Sequence, residues 1–416
     1  MASEIVLVNI TGVDKAGLMA MVTSTLAEYQ VTVLDVGQAI IHDTLALGFL
    51  VQIPDSAHTA AVKRSLQAQL DAENVPVRFT AIDTGRYAEW VGAQGKPRYV
   101  LTLMAHGVAA EQLAMISTIT RDHGLNIETI RRLTGRVAAA RLPQNDERTC
   151  IEIILRGTPD SAAEAAVKAA LMDAAAQLKF DFSVQRDTVY RRNRRLVAFD
   201  MDSTLINIEV IDELARLHGV GDQVSAITER AMRGELDFQQ SFRARVALLK
   251  GLSADALTTV ANSMQLNEGA ERLIHVLKRF GYKLAVLSGG FAPVGEHLRK
   301  ALDLDYVHAN ELVTVNGVFT GEVQGHIVDA TRKASLLTEI ANKEQIALEQ
   351  TIAIGDGAND LPMLNVAGLG IAYHAKPLVK ATADHAISNM GLDSLLYLMG
   401  FSDQDIEQAL TATPDR

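Results

Sequence analysis

Apolar and polar positions along the 416-residue chain fall into two textures. The first begins with the β-branched run "EIVLVNI" and continues through "GLMAMVTSTLAEYQ", where apolar residues recur at helical spacing. Two strand-like runs follow in "VTVLDVGQAIIHDTLALGFLVQI", with a turn near His42–Thr44. "AAVKRSLQAQLDAEN" reads as a second amphipathic helix and "VPVRFTAI" as a last strand. This strand–helix–strand–strand–helix–strand order is the split βαβ pattern of ferredoxin-like domains. The order restarts at "RYVLTLMAHG", runs through "EQLAMISTITRDHGLNIETIRRL" and "TCIEIILRG", and closes in "DSAAEAAVKAALMDAAAQLKFDFSVQ", a repeat of about 94 residues. Two tandem modules are expected, at 1–92 and 97–187.

From residue 195 the pattern becomes α/β. The apolar runs "LVAF", "KLAVLS", "TIAIGD" and "LGIAY" alternate with helical stretches, which predicts a parallel sheet covered on both faces over 195–400. A helical insertion occupies about 207–268, and "LVTVNGVFTGEV" reads as a hairpin closed by Asn-Gly. Residues 401–416 are expected to be a C-terminal tail. The basic run "YRRNRRL" at 190–196 reads as a solvated linker face, because it lacks the interleaved aromatics of a nucleic-acid surface.

Composition narrows the function classes. A content of 48% hydrophobic and 21% charged residues is that of a soluble globular protein. A net charge of −11 argues against general nucleic-acid or anionic-membrane binding, but leaves room for a locally cationic phosphate site. Aromatics make up 5% of the chain, which disfavours modules that stack bases. The single cysteine, Cys150, rules out an intrachain disulfide and suits a reducing, cytoplasmic compartment. The N-terminus lacks a basic and then apolar leader, and no apolar run approaches the ~20 residues of a spanning helix.

The candidate chemistry lies at strand ends. In an open α/β sheet, ligands collect at the carboxyl ends of the strands. Asp200 and Asp202 follow "LVAF", Asp356 follows "TIAIG", and Ser288 follows "LAVL" ahead of two glycines. Carboxylates gathered this way repel one another, so a cation is implied, and oxygen ligands without His or Cys favour Mg²⁺. A calcium loop fails as an explanation of "DMDSTLINIEVI", because Leu205 replaces the turn glycine and Ile211 the closing glutamate. Helix capping accounts for Asp200 or Asp356 singly but not for the set.

The ordered motifs "DMDST", "SGGF", Lys333 in "VDATRKASLL" and "GDGANDLPM" resemble the haloacid dehalogenase superfamily and, within it, the phosphoserine phosphatase family. The likeness spans about 196–398 and extends into "AITERAMRGELDFQQSFRARVALLKGL", which is similar to that family's cap. It implies a Rossmann-like core that hydrolyses O-phospho-L-serine through an aspartyl-phosphate, the last step of serine biosynthesis. Asp200 would be the nucleophile and Asp202 the general acid and base. Mg²⁺ would be held by Asp200, Asp356 and the main-chain carbonyl of Asp202. Ser288, the Gly289 amide and Lys333 would bind the phosphoryl group. Glu209 and Arg245 would bind the ammonium and carboxylate of the serine moiety, with Met232 and Phe238 shielding the site. Asn359 would contact substrate, and Asp360 would orient Lys333 or a metal-bound water.

The two modules resemble ACT domains. That likeness implies an L-serine effector at "TGVDKAGL", around Gly12, Asp14 and Gly17, and a homodimer. In that turn Ala16 stands where such domains often have proline, and "AHGVAAEQL" in the second copy lacks the pattern. Alternative functions are a phosphatase for another small phosphomonoester, a phosphotransferase or mutase, and a catalytically silent amino-acid sensor.

Overall fold

The computed structural model describes residues 3–138 and 147–411. Backbone contacts divide the chain into two compact units, Met1–Lys96 and Pro97–Arg416. The first contains β1 (Glu4–Val13), α1 (Leu18–Glu28), β2 (Thr32–Ile41), β3 (Thr44–Ile53), α2 (Ser56–Ala72), β4 (Val77–Ile82) and α3 (Thr84–Gln94). Its antiparallel sheet has the order β2-β3-β1-β4. The alternation in β1 puts Val6, Val8 and Ile10 in a core with Leu26, Phe49 and Leu66. The expected order of strands and helices is present. Helix α3 is an addition that hydrophobic patterning could not announce, because it buries none of its side chains. Asp83 starts it by accepting a hydrogen bond from the Arg86 amide at 2.8 Å.

The second unit opens with the repeat: β5 (Arg98–His106), α4 (Ala110–Asp122), β6 (Asn126–Arg132), β7 (Arg148–Arg156), α5 (Ser161–Leu178) and β8 (Asp181–Arg186). The α/β part follows with β9 (Leu196–Phe199) and the cap helices α6 (Val210–His218), α7 (Gly221–Met232), α8 (Phe238–Ala247) and α9 (Asp255–Ser263). Next come α10 (Ala270–Arg279), β10 (Lys283–Phe291), α11 (Ala292–Leu302), β11 (Tyr306–Val315), β12 (Val318–Gln324) and α12 (Ala330–Lys343). The chain then forms β13 (Thr351–Gly355), α13 (Leu361–Val366), β14 (Leu369–Tyr373), α14 (Pro377–Thr382), β15 (His385–Ile387), α15 (Leu395–Leu398) and α16 (Asp403–Thr411).

One sheet of 11 strands, ordered β12-β11-β10-β9-β13-β14-β15-β8-β5-β7-β6, runs through the whole unit. Strands β11, β10, β9, β13, β14 and β15 pair in parallel. β12 returns antiparallel through a turn in which Asn316 and Gly317 both have positive φ, the geometry that Asn-Gly favours. The strands of the second module, β8-β5-β7-β6, repeat the topology of the first module and join the parallel core through an antiparallel pairing of Ala386 with Phe182.

The second module is therefore joined to the α/β core rather than tethered beside it. Asp181 accepts hydrogen bonds from the Ser388 and Asn389 amides at 2.9 and 2.8 Å, and Arg148 meets Asp393 at 2.5 Å. Two expectations change as a result. The basic run is not a solvated face: Arg191 and Arg194 are buried, and Arg191 pairs with Glu152 at 2.6 Å. Residues 401–411 are not a loose tail, because Ile406 is fully buried and Asp403 accepts from the Tyr397 hydroxyl at 2.5 Å. Among the described residues, no helix is long and apolar enough to cross a membrane.

Candidate active site

The fully buried strand β9 lies between β10 and β13 and delivers Asp200 at its carboxyl end. The Asp200 amide donates to the Ile354 carbonyl at 2.8 Å, which ties the two acid-bearing strands together where they end. The Asp200 carboxylate accepts from the Met201 amide at 2.7 Å and from Lys333 Nζ at 2.8 Å. Lys333, at the first turn of α12, is wholly buried and also reaches Asp360 at 2.7 Å. Burial disfavours its charge, but the two carboxylates outweigh that and raise its pKa.

The segment after β9 is held in a strained loop. Ser203 adopts φ 56°, in the left-handed region. Asn267 Nδ2 spans the carbonyls of Ser203, Thr204 and Ile206 at 3.2, 2.8 and 3.2 Å. Ser203 Oγ donates to Glu209 at 2.7 Å, and Thr204 Oγ1 donates to Asp356 at 3.1 Å. The loop thus connects the Asp200 strand both to the cap and to Asp356.

Asp202 is the unusual carboxyl. Its Oδ1 is buried without a partner, while burial, Glu209 and Asp200 push its pKa well up. It therefore favours the protonated form of a general acid. A β-carbon at Gly290 would stand 2.7 Å from Met201 Cε, 2.8 Å from Asp202 Oδ2 and 3.1 Å from Ser288 Oγ, so a larger residue there would displace these side chains where β10 closes over the site. Ser288 is fully buried and accepts from the Gly290 amide at 2.8 Å. The Gly289 carbonyl is held by Asn310 Nδ2 at 2.8 Å.

Oxygens of Asp200, Asp356 and Asp360 lie within 4.8 Å of one another. Burial, followed by Asp360 and Glu209, pushes Asp356 up to about 6, and burial with Asp360 raises Asp200. Three carboxylates at this spacing, two buried and one half-buried, with one lysine between two of them, fit a hard divalent cation, which would offset the excess negative charge. The Asp202 side chain is not in this cluster, and Asp360 is.

In the cap, Arg245 is pushed down by burial, its Nε has no partner, and Asp212, Glu209 and Asp202 are the acids around it. Glu209 is raised by burial. Together they leave an incompletely matched cation and anion close to Asp202. Phe238 opens α8, stacks on Phe242 with ring centroids 6.0 Å apart, and lies against Gly289. Asn359 is half-buried in the turn after β13, beside Asp360. Met232 differs from the expected shielding role: it is 65% exposed, with its sulfur 4.0 Å from Lys376 Nζ. It ends α7, a helix that buries Val224 and little else.

In the first unit, Gly17 caps α1 at φ 98°, a conformation that favours glycine, and the Asp14 amide donates to the Asp43 carbonyl at 2.7 Å. Gly12 has a packing reason, since a β-carbon there would meet Val75 at 3.3 Å. Sequence reading did not single out Asn267 or Asn310, because the two asparagines act on carbonyls far away in sequence and carry no local signal.

Comparison with known proteins matches this geometry. Residues 197–365 fit the model of haloacid dehalogenase-like hydrolases, and residues 4–80 fit that of the ACT domain. A phosphoserine phosphatase of Streptomyces coelicolor is 39% identical, covering 98% of this chain and 95% of its own. One from Mycobacterium tuberculosis is 36% identical over 97% of this chain and 95% of its own. A solved haloacid dehalogenase-family hydrolase of Salmonella enterica serovar Typhi superposes with a TM-score of 0.62 at 32% identity, covering 73% of this chain and 99% of that one. With these relatives and a site of this construction, the chain belongs to the phosphoserine phosphatase family of haloacid dehalogenase-like hydrolases.

Proposed function

We propose that the chain hydrolyses O-phospho-L-serine to L-serine and phosphate with Mg²⁺, by way of a phosphorylated Asp200, as the last step of serine biosynthesis. The observation that carries this reading is the pairing of unlike carboxyls. Asp200 is clamped by Lys333 and a main-chain amide, while Asp202 is raised by burial and keeps its Oδ1 without a partner. One serves as nucleophile towards phosphorus and the other as proton donor to the departing serine oxygen. Once the phosphoryl group is on Asp200, the deprotonated Asp202 takes a proton from the attacking water. Ser288, the Gly289 amide and Lys333 hold phosphoryl oxygens in a pre-arranged field.

Mg²⁺, held by carboxylates of the Asp200, Asp356 and Asp360 cluster with the Asp202 carbonyl, would supply charge neutralisation for the phosphoryl group. Glu209 and Arg245 suit the ammonium and carboxylate of an amino-acid ester, Arg245 through a planar, bidentate contact. Phe238 covers the site and Asn359 contacts substrate. The protein acts in the cytoplasm. The first module adds serine feedback around Gly12, Asp14 and Gly17 and supports a homodimer, in keeping with exposed Val36, Ile40 and Ile41 on edge strand β2.

The test is phosphate release from O-phospho-L-serine and O-phospho-L-threonine with Mg²⁺, beside the Asp200→Asn variant. Release from phosphoserine that is lost in the variant, and several-fold slower with phosphothreonine, is expected; release equal to that of the variant sinks the reading.

A further inference from the structure

The parallel sheet has two ends, and the site above occupies the carboxyl end. At the amino end, where β9, β13, β14 and β15 begin, a cavity of about 570 Å³ opens beside β8 and α5 of the second module. Val167, Phe182 and Val184 give it an apolar wall; its polar lining includes buried Gln185 and Arg194 and half-buried His385, together with Glu164 and Asp384, which are already paired with Arg186 and Lys168.

Arg194 stands just before β9 and is 8% exposed. It donates to the carbonyls of Glu349 and Thr351, yet its Nε has no partner and no carboxylate among the described residues pairs with it. Its neighbour Arg191 is already matched by Glu152. A buried guanidinium without a counter-anion is an uncompensated charge, and an anion at the cavity would complete it. Gln185, 7% exposed, directs its amide nitrogen to Ser183 Oγ at 3.2 Å and to the Leu398 carbonyl at 3.0 Å, which leaves Oε1 unpartnered. Ser183 Oγ accepts from Gln185 and lies 2.9 Å from His385 Nδ1. In the tautomer in which Ser183 donates to Nδ1, neutral His385 carries its proton on Nε2, as a further donor.

We propose that this cavity binds a free α-amino acid with an apolar side chain, its carboxylate meeting Arg194 and His385 and its ammonium meeting Gln185 Oε1. The side chain lies against Val167, Phe182 and Val184. An inorganic anion would satisfy Arg194 but leave Gln185 Oε1 unpaired and the apolar wall wet, so the amphipathic zwitterion is the fuller match. Arg194 precedes β9 and Thr351 begins β13, the strands that Asp200 and Asp356 follow. The two sites are thus one strand length apart, roughly 15–20 Å, and an occupant here does not compete with substrate.

The experiment is calorimetric titration of the full chain with L-leucine, L-methionine and L-phenylalanine. Parallel titrations use 4-methylpentanoate, which is leucine without its ammonium, and inorganic phosphate. At least one of the three amino acids is expected to bind saturably at one site. Val184→Trp, which fills the cavity and touches no catalytic residue, is expected to weaken that binding at least about tenfold while phosphate release without amino acid stays unchanged. 4-Methylpentanoate is expected to bind more weakly than leucine. The proposal is overturned by no saturable binding of any of the three up to ~10 mM, by binding that Val184→Trp leaves intact, or by phosphate binding as well as the amino acids do.

Discussion

Lys333→Met removes a fully buried cation that touches two carboxylates at 2.8 and 2.7 Å. At an effective dielectric of about 20, each contact is worth roughly 6 kcal/mol of Coulomb attraction. Asp200 and Asp360 oxygens within 4.8 Å of each other repel by roughly 3.5 kcal/mol at the same dielectric. The variant cannot lose that whole sum, because one carboxyl will protonate instead. Protonating a group of ordinary pKa at pH 7 costs about 4 kcal/mol, which caps the electrostatic loss. The lysine's own desolvation is also removed, which lowers the loss further, so the expected destabilisation in metal-free buffer is about 2–4 kcal/mol.

The sign of the pH dependence follows. In the variant, the folded state holds a proton that the unfolded state releases above about pH 4. Stability of Lys333→Met relative to the parent should therefore rise as pH falls from 7 towards 5. Denaturant unfolding of both proteins at pH 7 and pH 5, with EDTA and then with Mg²⁺, measures this, and Mg²⁺ should recover part of the deficit. Phosphate release should fall by at least about a hundredfold, the loss typical of one preorganised donor to a developing charge. A deficit under about 1 kcal/mol at pH 7, or one that does not shrink at pH 5, would refute the reasoning.

Two further outcomes follow from the same geometry. Asn267→Ala frees the carbonyls of Ser203, Thr204 and Ile206 and should lower stability by about 1–3 kcal/mol, with kcat/KM dropping more than tenfold as Ser203 relaxes from φ 56°; unchanged kinetics would show that the loop holds itself. Burial pushes His385 down to about 4, so its contribution is present above the unfolded value near ~6.5 and lost as pH falls towards 4. His385→Gln should remove up to about 3 kcal/mol of that slope between pH 7 and 4.5, measured by urea unfolding at the two pH values.

Much of this molecule was legible in its sequence, because what was read was local. Period-2 and period-3.6 patterning marked the repeated module, the apolar runs marked β9, β10, β13 and β14, and Asn316-Gly317 marked its hairpin. The strand-end rule placed Asp200, Ser288 and Asp356 on one edge without any knowledge of distance. Short β15 escaped notice, since three residues are too few to show a period.

The sequence by itself determined the elements, their order, and which acids stand at strand ends. The tertiary structure alone decided what each charge faces. "YRRNRRL" reads as a solvated run until Glu152, 39 residues upstream of Arg191, neutralises one arginine while another, Arg194, is left buried without a carboxylate. The residues flanking Lys333 in sequence do not foretell its place between Asp200 and Asp360, which close around it in the fold. The second module joins the core through one strand pairing, polar contacts such as Asp181 with Ser388, and an apolar cluster in which its Met104, Leu133 and Cys150 take part. A side chain's burial and its partner are properties of chain segments brought together across hundreds of residues, whereas periodicity records only the dozen or so nearest neighbours.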